Sequence, residues 1–443
     1  MYLLYSLALG IGLVLLSPWF LIQGLRRGKY LRSLRGRLGV VPEVIVQAAQ
    51  KSQGNGGIWI HAVSVGEAIA AMPLARGLRE RFPNRPVYVS TTTETGQTTA
   101  RERLGKWAAG VFYLPLDIPW MVRRAIEGVR PSLIVIVETE IWPNFLREAA
   151  RGGIPVVFVN ARISARSLPK YERVNRLFGN FLRKVLREPV LFLAQSSEDA
   201  ARLVKIGAPS GKVIVMGNMK YDIVEPEGNA FSFWLKQQGG KERGRPVLVA
   251  GSVMAGEESA VLEAFDDVRK DWPRALLVLA PRKTEQFDDV AKLAEAGGRI
   301  LVRRSQLQSG EELKSGAEVI LLDTIGELAP VYSAADVVFV GGSLVATGGH
   351  NLVEPAACGK APAFGPHMEN FSEMAEQFVE AHGGKRVVNG AELGQFWRRL
   401  LADDDLRAAM GRGAASILEA NRGATEKTLE AISILIAQRA GPE

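Results

Sequence analysis

Residues 57–67 read Gly57-Ile58-Trp59-Ile60-His61-Ala62-Val63-Ser64-Val65-Gly66-Glu67. An apolar strand runs into a tight turn, and the turn opens a helix that carries a carboxylate. The same unit recurs along the chain. Candidate strands fall at 57–62, 87–91, 110–113, 133–138, 156–161, 191–194 and 213–216, with helical stretches such as 68–81 and 95–104 between them. These runs are short, continuous and rich in Val and Ile, which is how strands covered on both faces of a parallel sheet read. Composition changes over 222–245, where Pro226 and the glycines 228, 239, 240 and 244 fall. The alternation then restarts, with strands expected at 246–250, 276–280, 300–302, 319–322 and 337–340, helices at 257–271 and 285–296, and helices from 341 onward. A chain of 443 residues suits two domains of about 200 residues each. The expected class is α/β, with two doubly wound, Rossmann-like domains facing a cleft and ligands at the carboxyl ends of the strands. The first domain is expected over 58–222, a linker over 223–245 and the second domain over 246–443. A final helix at 424–438 is a candidate to cross back onto the first domain.

Upstream of this pattern, the first 24 residues carry no charged side chain. Leu3 to Ile22 is apolar over about 20 residues, roughly 30 Å as a helix, which matches a bilayer core. Arg26, Arg27, Lys29, Arg32, Arg35 and Arg37 follow with no acid among them. They hold most of the net charge of +8, so the remainder is nearly neutral and a nucleic-acid surface is not indicated. A cleaved signal peptide would place its charges before the apolar run, not after it. The expectation is a transmembrane anchor at 1–24 and a basic juxtamembrane segment and link at 25–57. The positive-inside rule then sets the body on the cytoplasmic face, with the basic run against anionic membrane lipids. The single cysteine, Cys358, excludes an intramolecular disulfide, and the histidines 61, 350, 367 and 382 form no zinc-ligand pattern.

Four groups of residues can carry chemistry. Glu67, at a strand's carboxyl end, can take a proton from an acceptor hydroxyl. Equally, Ser64-x-x-Glu67 is a capping box that satisfies the helix N-terminus, and a helix N-terminus lowers a carboxylate's pKa. Glu138-Thr139-Glu140-Ile141-Trp142-Pro143 puts two carboxylates at the end of a buried strand, where charge needs a partner or a task. Arg162 and Arg166, within Asn160–Ser167, and Lys220, within Gly217–Asp222, are cations at strand ends suited to an anionic substrate. In the second half, Pro281-Arg282-Lys283, Asp323–Glu327 and the glycine-rich 340–355 stretch follow strands. Glycines let a phosphate approach the backbone, and a helix starting near Asn351 offers free N–H groups. Glu354, one turn later, is placed to accept from ribose hydroxyls. Nucleotide-sugar binding of this kind is how two-domain GT-B glycosyltransferases hold their donor.

Taken in order, HAVSVGE (61–67), ETEIWPN (138–144), NARISARS (160–167), GNMKYD (217–222), GEES (256–259), PR (281–282), the D-T-x-G-E-L run (323–328) and GGSLV…GGHNxxE (341–354) resemble the Kdo (3-deoxy-D-manno-octulosonic acid) transferases of lipopolysaccharide synthesis. The resemblance spans essentially the whole chain. It implies a GT-B fold, CMP-Kdo as donor with no cofactor, and the lipid A precursor lipid IVA as acceptor at the inner membrane. It implies inverting, metal-independent transfer. Glu67 falls on the family's general base, and Glu138 and Lys220 on positions that stabilise the transition state. Pro281, Arg282, Ile325, Gly326, Glu327, Asn351, Leu352, Val353 and Glu354 fall on the CMP contacts. Two departures touch donor handling: Met254 stands where a histidine is common, and Lys283-Thr284 where His-Pro is common. Alternatives of other kinds are another GT-B transferase, a nucleotide-sugar epimerase, or a non-catalytic nucleotide-binding scaffold.

Overall fold

The Val- and Ile-rich runs at 57–61, 87–91, 131–137 and 156–161 form strands because they are covered on both faces, and their side chains are almost wholly buried; the run Val213–Val215 lies at the sheet edge with Ile214 and Val215 exposed. The computed structural model describes residues 1–27, 31–52, 55–222, 226–240, 244–307, 313 and 316–440. The chain divides into two compact units, Met1–Asp222 with Arg422–Glu443, and Ile223–Asn421.

In the first unit the strands are β1 (Gly57–His61), β2 (Val87–Thr91), β3 (Gly110–Tyr113), β4 (Pro131–Val137), β5 (Val156–Ala161), β6 (Leu191–Ala194) and β7 (Val213–Val215). They form one parallel sheet in the order β3-β2-β1-β4-β5-β6-β7. Chain order reverses between β1 and β4, and that switch point is where such sheets leave a crevice at their carboxyl ends. Apolar clusters cover both faces. One centres on Trp59, Phe112 and Phe145, with ring centroids 5.0 Å apart in each pair with Trp59. The other holds Leu74, Leu78, Val135 and, from the last helix, Leu429 and Ile432. The stretch expected as one helix over 68–81 is two, Val65–Ala70 and Met72–Arg81. Pro73 has no N–H to give to the carbonyl four residues back, so the break falls there.

The second unit has β8 (Val247–Val253), β9 (Leu276–Pro281), β10 (Leu301–Arg303), β11 (Val319–Leu321), β12 (Val337–Val340), β13 (Pro362–Phe364) and β14 (Lys385–Arg386). All pair in parallel in the order β10-β11-β9-β8-β12-β13-β14. Here the switch point lies between β8 and β12. The sequence reading put only helices beyond 340, yet β13 and β14 complete this sheet. Within 222–245 the chain forms a helix, Ala230–Gln238, whose Phe231 and Leu235 are buried.

The last helix, Ala424–Ala440, belongs to the first unit. Asp222 accepts the N–H of Gly423 (2.6 Å) and of Thr425 (2.5 Å), which satisfies donors at the helix start. Gly77 gives the helix room, since a Cβ there would stand 2.3 Å from a Leu429 methyl.

The N-terminal stretch corrects the sequence reading. It forms a helix, Tyr2–Arg27, but among the described residues no helix is long and apolar enough to cross a membrane. The transmembrane helix expected at 1–24 is therefore not supported. The single-pass inner-membrane localisation and cytoplasmic-face orientation that rested on it go with it. Polar side chains on the first turns engage the first unit instead. The Tyr2 ring meets Phe181 edge-on at 5.1 Å and lies 4.4 Å from the Arg147 guanidinium. Ser6 Oγ accepts from Asn144 Nδ2 at 3.0 Å. Asp117, buried, accepts the N–H groups of Asn144 and Phe145 and bonds the Tyr5 hydroxyl. Arg37, from the basic run, is likewise spent inside the unit: its Nη2 donates to Thr92 O at 2.7 Å and its guanidinium lies over Tyr113. Lys29 lies outside the described residues.

Candidate active site

The first unit gathers its acidic groups at the β1/β4 switch point. β1 ends at His61, and Ser64 caps the helix that follows, accepting from Glu67 N. The Glu67 carboxylate folds back onto the turn. Its Oε2 accepts the Val63 N–H at 2.7 Å, and its Oε1 accepts the Ser64 hydroxyl at 2.8 Å. The capping geometry is thus present, but it does not set the acidity. Burial raises the Glu67 pKa most, the Glu138 charge adds to it, and together they outweigh the two hydrogen bonds, pushing it up from 4.5 to about 7. The expectation of a lowered pKa is corrected: loss of water around the half-buried carboxylate, with the Glu138 charge beside it, exceeds the pull of the Val63 N–H and the Ser64 hydroxyl.

Glu138 follows β4 in a left-handed conformation, φ 59°, which a residue with a Cβ adopts at a cost. Lys220 Nζ meets its Oε1 at 2.6 Å. Lys220 rides on the turn Met219–Asp222, and Asn160, also left-handed at φ 52°, accepts the Met219 N–H on its Oδ1 at 2.9 Å. Glu140 is raised too, by burial first and then by Glu138. Thr139 Oγ1 accepts the Arg162 N–H at 3.0 Å, joining the ends of β4 and β5. Thus Glu67, Glu138 and Lys220 share one electrostatic neighbourhood. Arg162 is half-buried beside it and Arg166 is exposed. His61 is fully buried, with its pKa lowered to about 4 by burial, so it stays neutral and structural at neutral pH.

In the second unit Pro281 closes β9 and Arg282, exposed, donates its backbone N–H to Val253 O at 2.8 Å. Ile325 is 81% exposed, and Gly326, at φ 88°, makes a turn that a side chain would strain. Glu327 is engaged rather than free. Arg304 Nη2 meets it at 3.0 Å and the Thr324 hydroxyl donates to it. Arg304 was not singled out from the sequence, although its place just after a strand was a signal. Asn351 folds its own Oδ1 onto Val353 N at 3.1 Å. The expected helix is only Val353–Ala357, with Leu352 and Val353 buried and Glu354 half-buried. His350 carries a pKa lowered to about 4, by burial and then by Arg282, so the Arg282 charge falls on this loop. Among the described residues no three His, Cys, Asp or Glu side chains gather as a metal site.

Two parallel Rossmann-type sheets, with acid–base groups at one switch point and a glycine loop at the other, define the GT-B-like α/β fold class. Solved structures share the fold: the S. aureus MnaA–UDP structure (TM-score 0.56, 16% identity, 86% of this chain and 97% of that one) and Anabaena Alr3699/HepE with UDP and glucose (TM-score 0.55, 15% identity, 86% and 100%). A family model described as 3-deoxy-D-manno-octulosonic-acid transferase (kdotransferase) matches residues 32–223. The 3-deoxy-D-manno-octulosonic acid transferase of Haemophilus influenzae is 34% identical over 381 residues, 84% of this chain and 86% of that one. That of Bordetella pertussis is 36% identical over 388 residues, 85% and 86%. The chain belongs to the Kdo transferase family.

Proposed function

We propose that this protein transfers Kdo from CMP-Kdo to lipid IVA, with inversion, without a metal, and with Glu67 as general base. The observation that carries the reading is Glu67 at the end of β1, its pKa near 7 beside the Glu138–Lys220 pair. A carboxylate with a pKa near the working pH is both ionised enough to act and basic enough to accept a proton. An acceptor hydroxyl oxygen bonds to the anomeric carbon of Kdo while its proton passes to Glu67. The bond from that carbon to the phosphate oxygen breaks, and CMP leaves with the electron pair from the opposite face. Lys220, held by Glu138, supplies positive charge toward the Kdo carboxylate, and Arg282 toward the CMP phosphate. Fixed cations of this kind stabilise charge that grows in the transition state. Glu327, Pro281, Ile325, Gly326 and the Asn351–Glu354 stretch form the nucleotide side.

Incubation with CMP-Kdo and lipid IVA, followed by mass measurement of the lipid, tests the reading and counts the Kdo units added. Excess chelator should leave the rate unchanged, and a rate abolished by chelator and restored by a divalent cation would overturn the metal-free step. Glu67→Ala should bind CMP as the parent does and lose transfer by about 10²–10⁴-fold; near-parental transfer would sink the base assignment. Preference for a uridine nucleotide over CMP would point instead to a different transferase or an epimerase.

A further inference from the structure

The glycine loop of the second unit is already filled. After β12 the N–H groups of Gly342, Ser343 and Leu344 turn toward one point, as they would around a phosphate. At that point sits the carboxylate of Glu257, with 0% exposure. Its Oε2 accepts from Gly342 N at 2.6 Å and from Met254 N at 2.9 Å. Its Oε1 accepts from Ser343 N at 2.8 Å and Leu344 N at 2.7 Å. Glu257 stands just after β8, so its side chain bridges β8 and β12 across the switch point. Gly341 is shaped around it: a Cβ there would lie 2.7 Å from Glu257 Oε2 and 2.7 Å from Val253 Cα.

The neighbouring acid makes a parallel tie. Glu258 Oε2 accepts the Gly256 N–H at 2.7 Å, and its Oε1 accepts from Gln286 at 3.1 Å. Gln286 in turn accepts the Lys283 N–H, so this tie reaches the loop that carries Arg282. From Glu257 the connection runs the other way. Gly342 O accepts from Gly349 N at 2.7 Å and from the Thr347 hydroxyl at 2.8 Å. That sets the 347–350 turn from which Asn351 and Glu354 project. The Met254 departure is harmless to this frame, because position 254 contributes its backbone N–H.

We infer that Glu257 is a positioning residue of the donor site: its carboxylate is a built-in anion that holds the glycine loop, and the donor phosphate is bound outside that loop. A carboxylate accepting four N–H groups is strongly anchored, and a nest that holds one anion has no room for a second. The donor part of this inference rests on the CMP-sugar reading above. Glu257 touches neither nucleotide nor sugar in this scheme; it acts through Gly342 and the 347–354 segment.

The test is CMP titration by calorimetry on the full chain, with acetate as the probe of the nest. Acetate is the fragment that Glu257→Ala removes. Parental protein that fails to bind CMP would defeat the donor reading, and acetate protection of Glu257→Ala in a thermal melt would still read the nest by itself. With CMP binding established, Glu257→Ala should weaken it by at least about tenfold, and acetate at tens of millimolar should restore most of the loss while leaving the parent unaffected. In turnover, donor KM should rise far more than kcat falls, a split that general loss of fold would not produce. Glu257→Gln keeps the shape but turns an NH₂ against two N–H donors; it should lose affinity similarly and be deaf to acetate. It serves where the alanine variant does not fold. Two results overturn the inference: CMP affinity unchanged in both variants, or CMP binding tighter to Glu257→Ala with acetate competing, which would give the nest to the donor phosphate.

Discussion

Glu67 holds its proton up to about pH 7 in the folded protein and releases it near 4.5 in an unfolded chain. Two consequences have opposite signs. A general base works only when ionised, so kcat/KM should rise with pH and level off above about 7. Stability moves the other way. The folded state binds the extra proton between pH 4.5 and 7, so this contribution is full below 4.5 and is lost as pH rises through 7. Glu138→Gln removes the second-largest cause of the shift and the ion pair with Lys220. The acid limb of the pH–rate profile should then move to lower pH, at a lower maximal rate. A limb that stays near 7 would assign it to another group. The Ser64-x-x-Glu67 spacing made the position of Glu67 legible in the sequence. Its acidity was not legible, because that depends on burial and on a carboxylate from a strand far along the chain. Glu257 shows the same limit: it stood within a quoted motif, yet its four partners come together only when β8 and β12 pair.

Strands with continuous Val and Ile runs were legible, since covering on both faces leaves no polar alternation to confuse them. β13 and β14 were not. Pro362–Phe364 is apolar but only three residues long, and the pair Lys385-Arg386 is neither long nor apolar; β13 is a strand because β12 offers it an edge, and β14 because β13 does. The N-terminal helix was misjudged for a related reason. Its apolar run is visible, but Tyr2, Tyr5 and Ser6 engage Phe181, Asp117 and Asn144, partners that exist only in the folded unit. That contact gives a prediction at the scale of one element. Asp117→Ala leaves the buried N–H groups of Asn144 and Phe145 without an acceptor. It should destabilise the first unit by about 1–3 kcal/mol and loosen the N-terminal turn, seen as faster amide exchange over residues 2–6. Unchanged exchange there would mean that the aromatic contacts alone hold the turn.

The last helix ties chain order to the whole molecule, because it follows the second unit in sequence and completes the first. Residues 424, 429 and 432 are each less than 5% exposed and join the cluster of Leu74, Leu78 and Val135. Burying Leu429 and Ile432 contributes about 1.5–3 kcal/mol each, a large share of a domain's marginal stability of about 5–15 kcal/mol. The Arg81–Glu426 pair is largely exposed on its acidic side and adds little. A chain ending at Asn421 should therefore lose the cover over one face of the first sheet and leave the Asp222 carboxylate without its two N–H donors. Among the described residues, the core of the second unit, around Trp397, Leu400 and Phe265, contains none beyond 421. Transfer should fall by more than about tenfold while CMP affinity stays within about threefold, less than 1 kcal/mol. Leu429→Ala is the milder form and should cost about 2–5 kcal/mol in the unfolding transition of the first unit alone. Loss of CMP binding in step with transfer would mean that the helix also supports the donor side, and the division of labour between the two units would have to be redrawn.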